Sequence, residues 1–190
     1  MNETAYAYKE EREDYEIIDG QVYMMSRPST KHMSIEGNIL TIFKNYLKGK
    51  NCKPFNEIDV FLSENDNFVP DVIIVCDPEI IEENGIHGTP DLVVEIASPS
   101  TARRDRMEKF AAYEKYGVKE YWVISPNEKR VEVYIRKDDK LVLDDIYSIY
   151  RDFEWDRLKE EEKAQVKLSI KVSLYDDFYV KLEDIFEDVK

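Results

Sequence analysis

Cysteine is scarce, two residues in 190, and Cys52 and Cys76 are not spaced as a CxxC or zinc motif. Cys76 directly follows a strand-like apolar run, so a reduced, packing role is expected for the thiols. No run of 18 apolar residues occurs, and no basic stretch leads into an apolar segment at the N-terminus. Together these absences argue against a membrane-spanning helix or secretory leader and for a soluble, cytoplasmic protein without a membrane partner. A Gly-rich phosphate loop and a Ser, His, Asp order of the hydrolase kind are missing too. Positive charge is the last shortage: 27 Lys and Arg stand against 41 Asp and Glu, a net charge of −14. That weighs against a nucleic-acid partner, because phosphate binding draws on Lys and Arg to displace counterions. The deficit is uneven. Residues 91–137 hold ten Lys and Arg against eight Asp and Glu, a local +2, which leaves −16 for the rest of the chain, and local field steers a ligand more than total charge does.

What is present suffices for one ordinary domain over residues 1–190, with a core that needs no structural metal. Residues 2–14 are a charge run without apolar periodicity and read as a solvated, flexible lead-in or a frayed helix. Asp19-Gly20 between two strand-like halves predicts a β-hairpin over 15–25. Past Pro28, Ser29 or Thr30 caps a helix that runs to Leu47 or Lys48, with Ile35, Ile39, Ile42 and Tyr46 at helical spacing. Strands are expected over 57–63 and 68–75 around a turn at 64–67, followed by a helical turn at 79–83. Next come a buried strand over 91–97 and a helix over 102–116 that Gly117 stops. A third buried strand covers 121–126, with an alternating partner at 131–136. The acidic remainder carries a charged helical candidate at 156–163, a strand at 165–172 and an amphipathic segment at 179–186.

Two carboxylates stand inside apolar strands. Glu95 interrupts Leu92, Val93, Val94, Ile96 and Ala97, and Asp71 follows Pro70 at the head of Val72 to Val75. Buried carboxylates call for a paired cation or a metal. If the two strands are neighbours, Asp71 and Glu95 come together, and the carbonyl of Ile96 completes an oxygen set suited to a hard divalent cation. Such a site fits phosphodiester hydrolysis, with Lys109 reaching back from the following helix to stabilise developing charge. Asp105 precedes Lys109 by one turn and is the candidate for holding it. Glu36 lies on the edge of the first helix's apolar stripe, where a carboxylate wants a partner. His32 is one turn earlier, and a surface or capping role is expected for it. The plainer alternative makes Glu95 and Lys109 a structural ion pair and Asp71 and Asp91 simple strand starts.

The segments PDVIIV, TPDLVVEIASPST and DRMEKFAAYEKYGVKEYWVISP resemble, in order and spacing, the putative restriction endonuclease family called Uma-two, a branch of the PD-(D/E)XK nuclease superfamily. The likeness runs from Tyr15-Glu16-Ile17-Ile18-Asp19-Gly20 to about Arg136, with an echo at residues 182–186. It implies an α/β, restriction-endonuclease-like core in which helices flank a mixed central β-sheet. It also implies that Asp71 is the motif aspartate and Glu95 the acidic member of the second motif, while Ala97 stands where the motif has Lys. The motif lysine then corresponds to Lys109, and Glu36 to the acidic residue of the first core helix. The resemblance implies a Mg²⁺- or Mn²⁺-dependent endonuclease of DNA. A nuclease-fold module without catalysis, as a homodimer, is the alternative that the acidic surface and Ala97 favour, and a hydrolase of small phosphate compounds is the third.

Overall fold

The computed structural model describes residues 15–98 and 101–189. The expected lead-in at 2–14 lies outside the described residues, as do Pro99 and Ser100 of the expected helix cap. β1 (Tyr15–Ile18) and β2 (Gln21–Met24) form the N-terminal hairpin. Asp19 and Gly20 both take positive φ, 50° and 74°, the backbone that an Asp-Gly hairpin turn requires. α1 (Thr30–Leu47) follows, its first turn closed by the Ser29 side chain accepting from the His32 amide at 3.3 Å. Ile35, Ile39, Phe43 and Leu47 are its buried apolar face, each contributing roughly 1.5–3 kcal/mol of burial.

Around the strands expected at 57–63 and 68–75 the structure adds one strand before them and another across the expected turn at 64–67, four in all. β3 (Lys53–Asn56) and β4 (Val60–Ser63) are split at Glu57, which takes φ 45°. β5 (Asp66–Phe68) and β6 (Val72–Val75) are split at Pro70, which has no N–H to give to a ladder. The breaks have a purpose in the architecture, because the chain changes sheet at both. β3 and β6 pair in one sheet, β4 and β5 in another, and Glu57 N–H reaches the Pro70 carbonyl at 3.2 Å where the two sheets part. The expected helical turn at 79–83 is a 3-10 turn at Pro78–Ile80 and a small hairpin of β7 (Ile81–Glu82) and β8 (Gly85–Ile86).

β9 (Leu92–Ile96) is buried throughout. Residues 102–116, labelled α2, are not the uniform helix expected. Helical turns at Ala102–Arg104 and Phe110–Tyr116 flank a π-helical segment, Asp105–Lys109. Gly117 ends α2 in the left-handed region at φ 92°. β10 (Glu120–Ser125), β11 (Arg130–Lys137) and β12 (Lys140–Ser148) complete the main sheet, in the order β12-β11-β10-β9-β6-β3. Only β9 and β10 are parallel there, as the α2 crossover between them demands. The second sheet runs β2-β1-β5-β4-β8-β7. A short helix, α3 (Asp152–Trp155), precedes the helical candidate at 156–163, which shrinks to α4 (Glu160–Lys163). The strand expected at 165–172 shrinks to β13 (Ser169–Lys171), paired with β14 (Tyr179–Lys181), before α5 (Leu182–Ile185).

Alternation assigns the two faces of the main sheet. Val72, Ile74, Leu92, Val94, Trp122 and Ile124 pack with α1 and the C-terminal strands and helix. Ile73, Val75, Val93, Tyr121 and Val123 pack with Ala112 and Tyr113 of α2 and with the second sheet. The expected reduced thiols are overturned: Cys52 and Cys76 form a disulfide. The register Lys53↔Val75 of β3 and β6 sets the two cysteines opposite each other one step beyond the ladder.

Candidate active site

β6 and β9 are antiparallel neighbours with Val72 opposite Val94, so Asp71 and Glu95 stand at the same end of the pair. Asp71 sits at the corner where the chain re-enters the main sheet. Its Oδ2 accepts from the Ile96 amide at 2.5 Å, and its Oδ1 lies 3.0 Å from His32 Nε2. The imidazole expected at the surface is therefore a partner of Asp71, presented by the first turn of α1. Burial works against the charged His32 ring, but the hydrogen bond to Asp71 and the charges of Asp71, Glu36 and Glu57 outweigh it and raise the pKa.

Glu95 shares a sheet face with Val93 and points to α2. Its Oε1 accepts from Lys109 Nζ at 2.9 Å and from the Tyr113 hydroxyl at 2.7 Å. Lys109 is 4% exposed, and its ammonium also lies 2.6 Å from Glu16 Oε1. Glu16, itself 3% exposed, further accepts from the Val69 amide at 3.1 Å. Burial pulls the Lys109 pKa down, and the carboxylates of Glu16, Glu95 and Asp105 more than reverse this, holding it well above its ordinary value. Burial pushes Glu95 well up despite Lys109, and Asp105 is raised for the same reason. Lys109, with the Arg104 guanidinium 3.9 Å from Glu16, thus faces three buried carboxyl groups, and the cluster is short of positive charge.

Asp105 acts on Lys109 through charge and hydrogen-bonds the Thr101 side chain, while direct contact with the ammonium belongs to Glu16 and Glu95. Glu36 is buried behind this group. Asn56 donates to its Oε1 at 2.8 Å, and its Oε2 has no hydrogen-bond partner among the described residues. Burial raises the Glu36 pKa. Asp91 serves a structural purpose: it accepts from the Cys76 amide and from Lys119 Nζ, both at 2.7 Å.

Asp71, Glu95, Ile96, Asp105 and Lys109 all border one cleft of about 440 Å³, whose lining includes Met24 at the end of β2 and Arg27 beyond it. Glu36 is not on its wall. Sequence reasoning missed Glu16 as a member of this site, although Glu16 and Ile18 share a face of β1 and both are buried. It also gave Arg104 no role. That guanidinium lies 3.9 Å from Glu16 Oε2 and stacks 4.3 Å over the Tyr23 ring, tying α2 to the hairpin. Among the described residues, no group of three or more His, Cys, Asp or Glu side chains is arranged to hold a metal ion. The donors of Asp71, Glu95 and the Ile96 carbonyl are nevertheless all hard oxygens, and Mg²⁺ takes only one or two protein carboxylates and fills the rest with water and substrate. In donor chemistry and in charge, the cleft fits such an ion.

A family model described as "Putative restriction endonuclease" matches residues 3–168. The chain belongs to the Uma2 family. Among curated proteins it is 33% identical over 132 residues to the uncharacterized protein slr1290 of Synechocystis sp., covering 68% of this chain and 70% of that one. It is 25% identical over 142 residues to the uncharacterized protein sll1609 of the same organism, covering 71% and 80%. A crystal structure titled as a "putative nuclease belonging to DUF820", from Anabaena variabilis, is similar with a TM-score of 0.70. The match covers 92% of this chain and 90% of that one at 20% identity. At that identity the likeness speaks for the fold alone, and the fold is the restriction-endonuclease-like mixed sheet with helices on both faces. No described helix is long and apolar enough to cross a membrane.

Proposed function

We propose that this Uma2 protein is a divalent-metal-dependent endonuclease that hydrolyses DNA phosphodiester bonds in the cleft between the hairpin and the main sheet. The observation that carries the reading is the Lys109 ammonium bonded to Glu95 at 2.9 Å, beside Asp71 on the neighbouring strand. In this reading Asp71, Glu95 and the Ile96 carbonyl hold Mg²⁺ or Mn²⁺. The ion, when bound, polarises the phosphoryl oxygen and acidifies the attacking water. His32 and the Ile96 amide fix the two oxygens of Asp71. Lys109 offers positive charge to the non-bridging phosphate oxygens as they gain charge. Asp105 keeps the ammonium charged, and Glu36 adds its charge beside His32 and Asp71.

One observation favours the catalytically inactive alternative, a binding or structural module acting as a homodimer. Lys109 is already held by two carboxylates, as a structural ion pair would be. Cleavage of supercoiled and linear DNA with Mg²⁺ or Mn²⁺ at low salt, beside Glu95→Gln and Lys109→Ala, decides between them. Metal-dependent nicking lost in both variants, with calorimetric metal binding that depends on Glu95, supports the nuclease. Intact protein that neither nicks DNA nor binds metal through Glu95 leaves the module.

A further inference from the structure

A second groove, about 640 Å³, adjoins the cleft. Asn127 borders both cavities, and Lys31 Nζ donates to its side chain at 3.2 Å, so the two meet at this residue. The groove wall carries four cations, Lys129, Arg130, Arg151 and Arg157, against two carboxylates, Glu128 and Glu154. Glu154 is paired with Arg151 at 2.5 Å. A wall of +2 on a chain of −14 is a local reversal of field, and it lies next to the candidate active site.

Aromatic rings stand beside these cations, Tyr150 on the groove wall and Phe153 and Trp155 next to it, outside its lining. Phe153 is 50% exposed, with the Arg151 and Arg157 guanidinium groups 4.7 and 5.7 Å from its ring centre. Trp155 and Tyr150 are 39% and 38% exposed, with ring centres 6.3 Å apart. Exposed rings of this size are disfavoured by water and serve no core here. Cations that follow a backbone, interleaved with rings on which bases stack, are the two components of sequence-tolerant single-strand binding.

We propose that this groove and the surface beside it bind an unpaired nucleic-acid strand leading away from the cleft, with Lys129, Arg130 and Arg157 against its phosphates, and with Tyr150 on the wall and Phe153 and Trp155 flanking it against its bases. The direction of the strand rests on the nuclease reading of the cleft; the binding itself does not. Bases stack on guanidinium planes as well as on rings, so the Arg151, Phe153 and Arg157 group offers a ready platform. Duplex ends and gaps, which expose unpaired bases, satisfy the surface better than continuous duplex.

The test is fluorescence anisotropy of a labelled single-stranded DNA oligonucleotide and its duplex, in EDTA so that cleavage plays no part. Arg130→Ala with Arg157→Ala should flatten the salt dependence for the single strand by about 1.4 in log-log slope. Phe153→Ala with Trp155→Ala should weaken single-strand binding by about tenfold or more while duplex binding changes less. All four side chains are on the surface, and unchanged circular dichroism confirms folded variants. Variants that bind like the intact protein, equal losses for strand and duplex, or an intact protein that binds no oligonucleotide each overturn the proposal. Groove-dependent binding in a protein inert toward DNA in Mg²⁺ and Mn²⁺ sinks the nuclease reading and keeps this one. Cleavage indifferent to the groove variants, together with unchanged binding, does the reverse.

Discussion

Lys109 lies closer to Glu16, at 2.6 Å, than to Glu95, at 2.9 Å. The lysine that α2 sends toward β9 is thus shared with the N-terminal hairpin, and the hairpin is part of the site rather than an appendage. A single buried cation between two carboxylates leaves both exposed to each other if it is removed.

Lys109→Ala should therefore destabilise the fold by about 3–5 kcal/mol, the usual consequence of stranding buried charge. Adding Glu16→Gln should recover part of the loss, because one of the two stranded carboxylates is then neutral. Urea denaturation of the single and double variants measures the coupling, and strict additivity would mean that the Glu16 contact carries no energy.

Glu120 is fully buried and accepts from Trp122 Nε1 at 2.6 Å and from the Ser173 amide and hydroxyl at 2.7 and 2.6 Å. Burial raises its pKa even against these three donors. A carboxyl that binds its proton more tightly when folded contributes most below its unfolded pKa, about 4.3, and that contribution is lost as pH rises through the folded value. Relative to Glu120→Gln, the intact protein should lose stability as pH climbs from about 4 toward neutrality. Denaturation at several pH values reads this directly. Near neutral pH, the Gln amide faces donors where the carboxylate accepted, so the variant also forfeits about 1–3 kcal/mol of satisfied hydrogen bonding.

The disulfide closes a separation of 24 residues that contains β4, β5 and Asp71. Cys52→Ser with Cys76→Ser should lower stability by about 3 kcal/mol, and reduction of the intact protein should do the same. Thiol alkylation in denaturant, before and after reductant, counts the free cysteines, and two thiols labelled without reductant would refute the bond.

In metal-free protein, the His32 ring should titrate above its ordinary value, since burial is outweighed by Asp71 and the nearby carboxylates. Asp71→Asn removes the largest opposing influence and should drop that pKa. Ring proton NMR follows it. The raised value also means that the His32 contribution to stability is complete below about pH 6.5 and fades as pH rises through the folded pKa.

Much of the frame was legible in the chain. Asp19-Gly20 fixed a hairpin, Ser29 a helix start, and the apolar runs around Asp71 and Glu95 two buried strands. What escaped depends on contacts between distant segments. Glu16 reads as one more surface charge until β1 is folded over α2. β12 was missed because it is an edge strand, with Val142, Leu143 and Ile146 exposed and two aspartates in its middle, so the burial alternation that marks a strand is blurred. The breaks at Glu57 and Pro70 follow from a change of sheet, which no local pattern announces. The disulfide arises from the pairing register of β3 and β6 and not from cysteine spacing.

The π-helical segment at Asp105–Lys109 has an angular consequence. It winds one extra residue into the turn, so that everything after it is rotated relative to an uninterrupted helix by about 100°. Deleting one residue from this segment would keep α2 intact as a helix while swinging either Lys109 or Tyr113 off the face that meets Glu95. A lysine placed on a strand is aimed by simple alternation. Here, with Ala97 on the strand, the aim of the lysine is set by helical phase, and a single inserted residue is its adjustment.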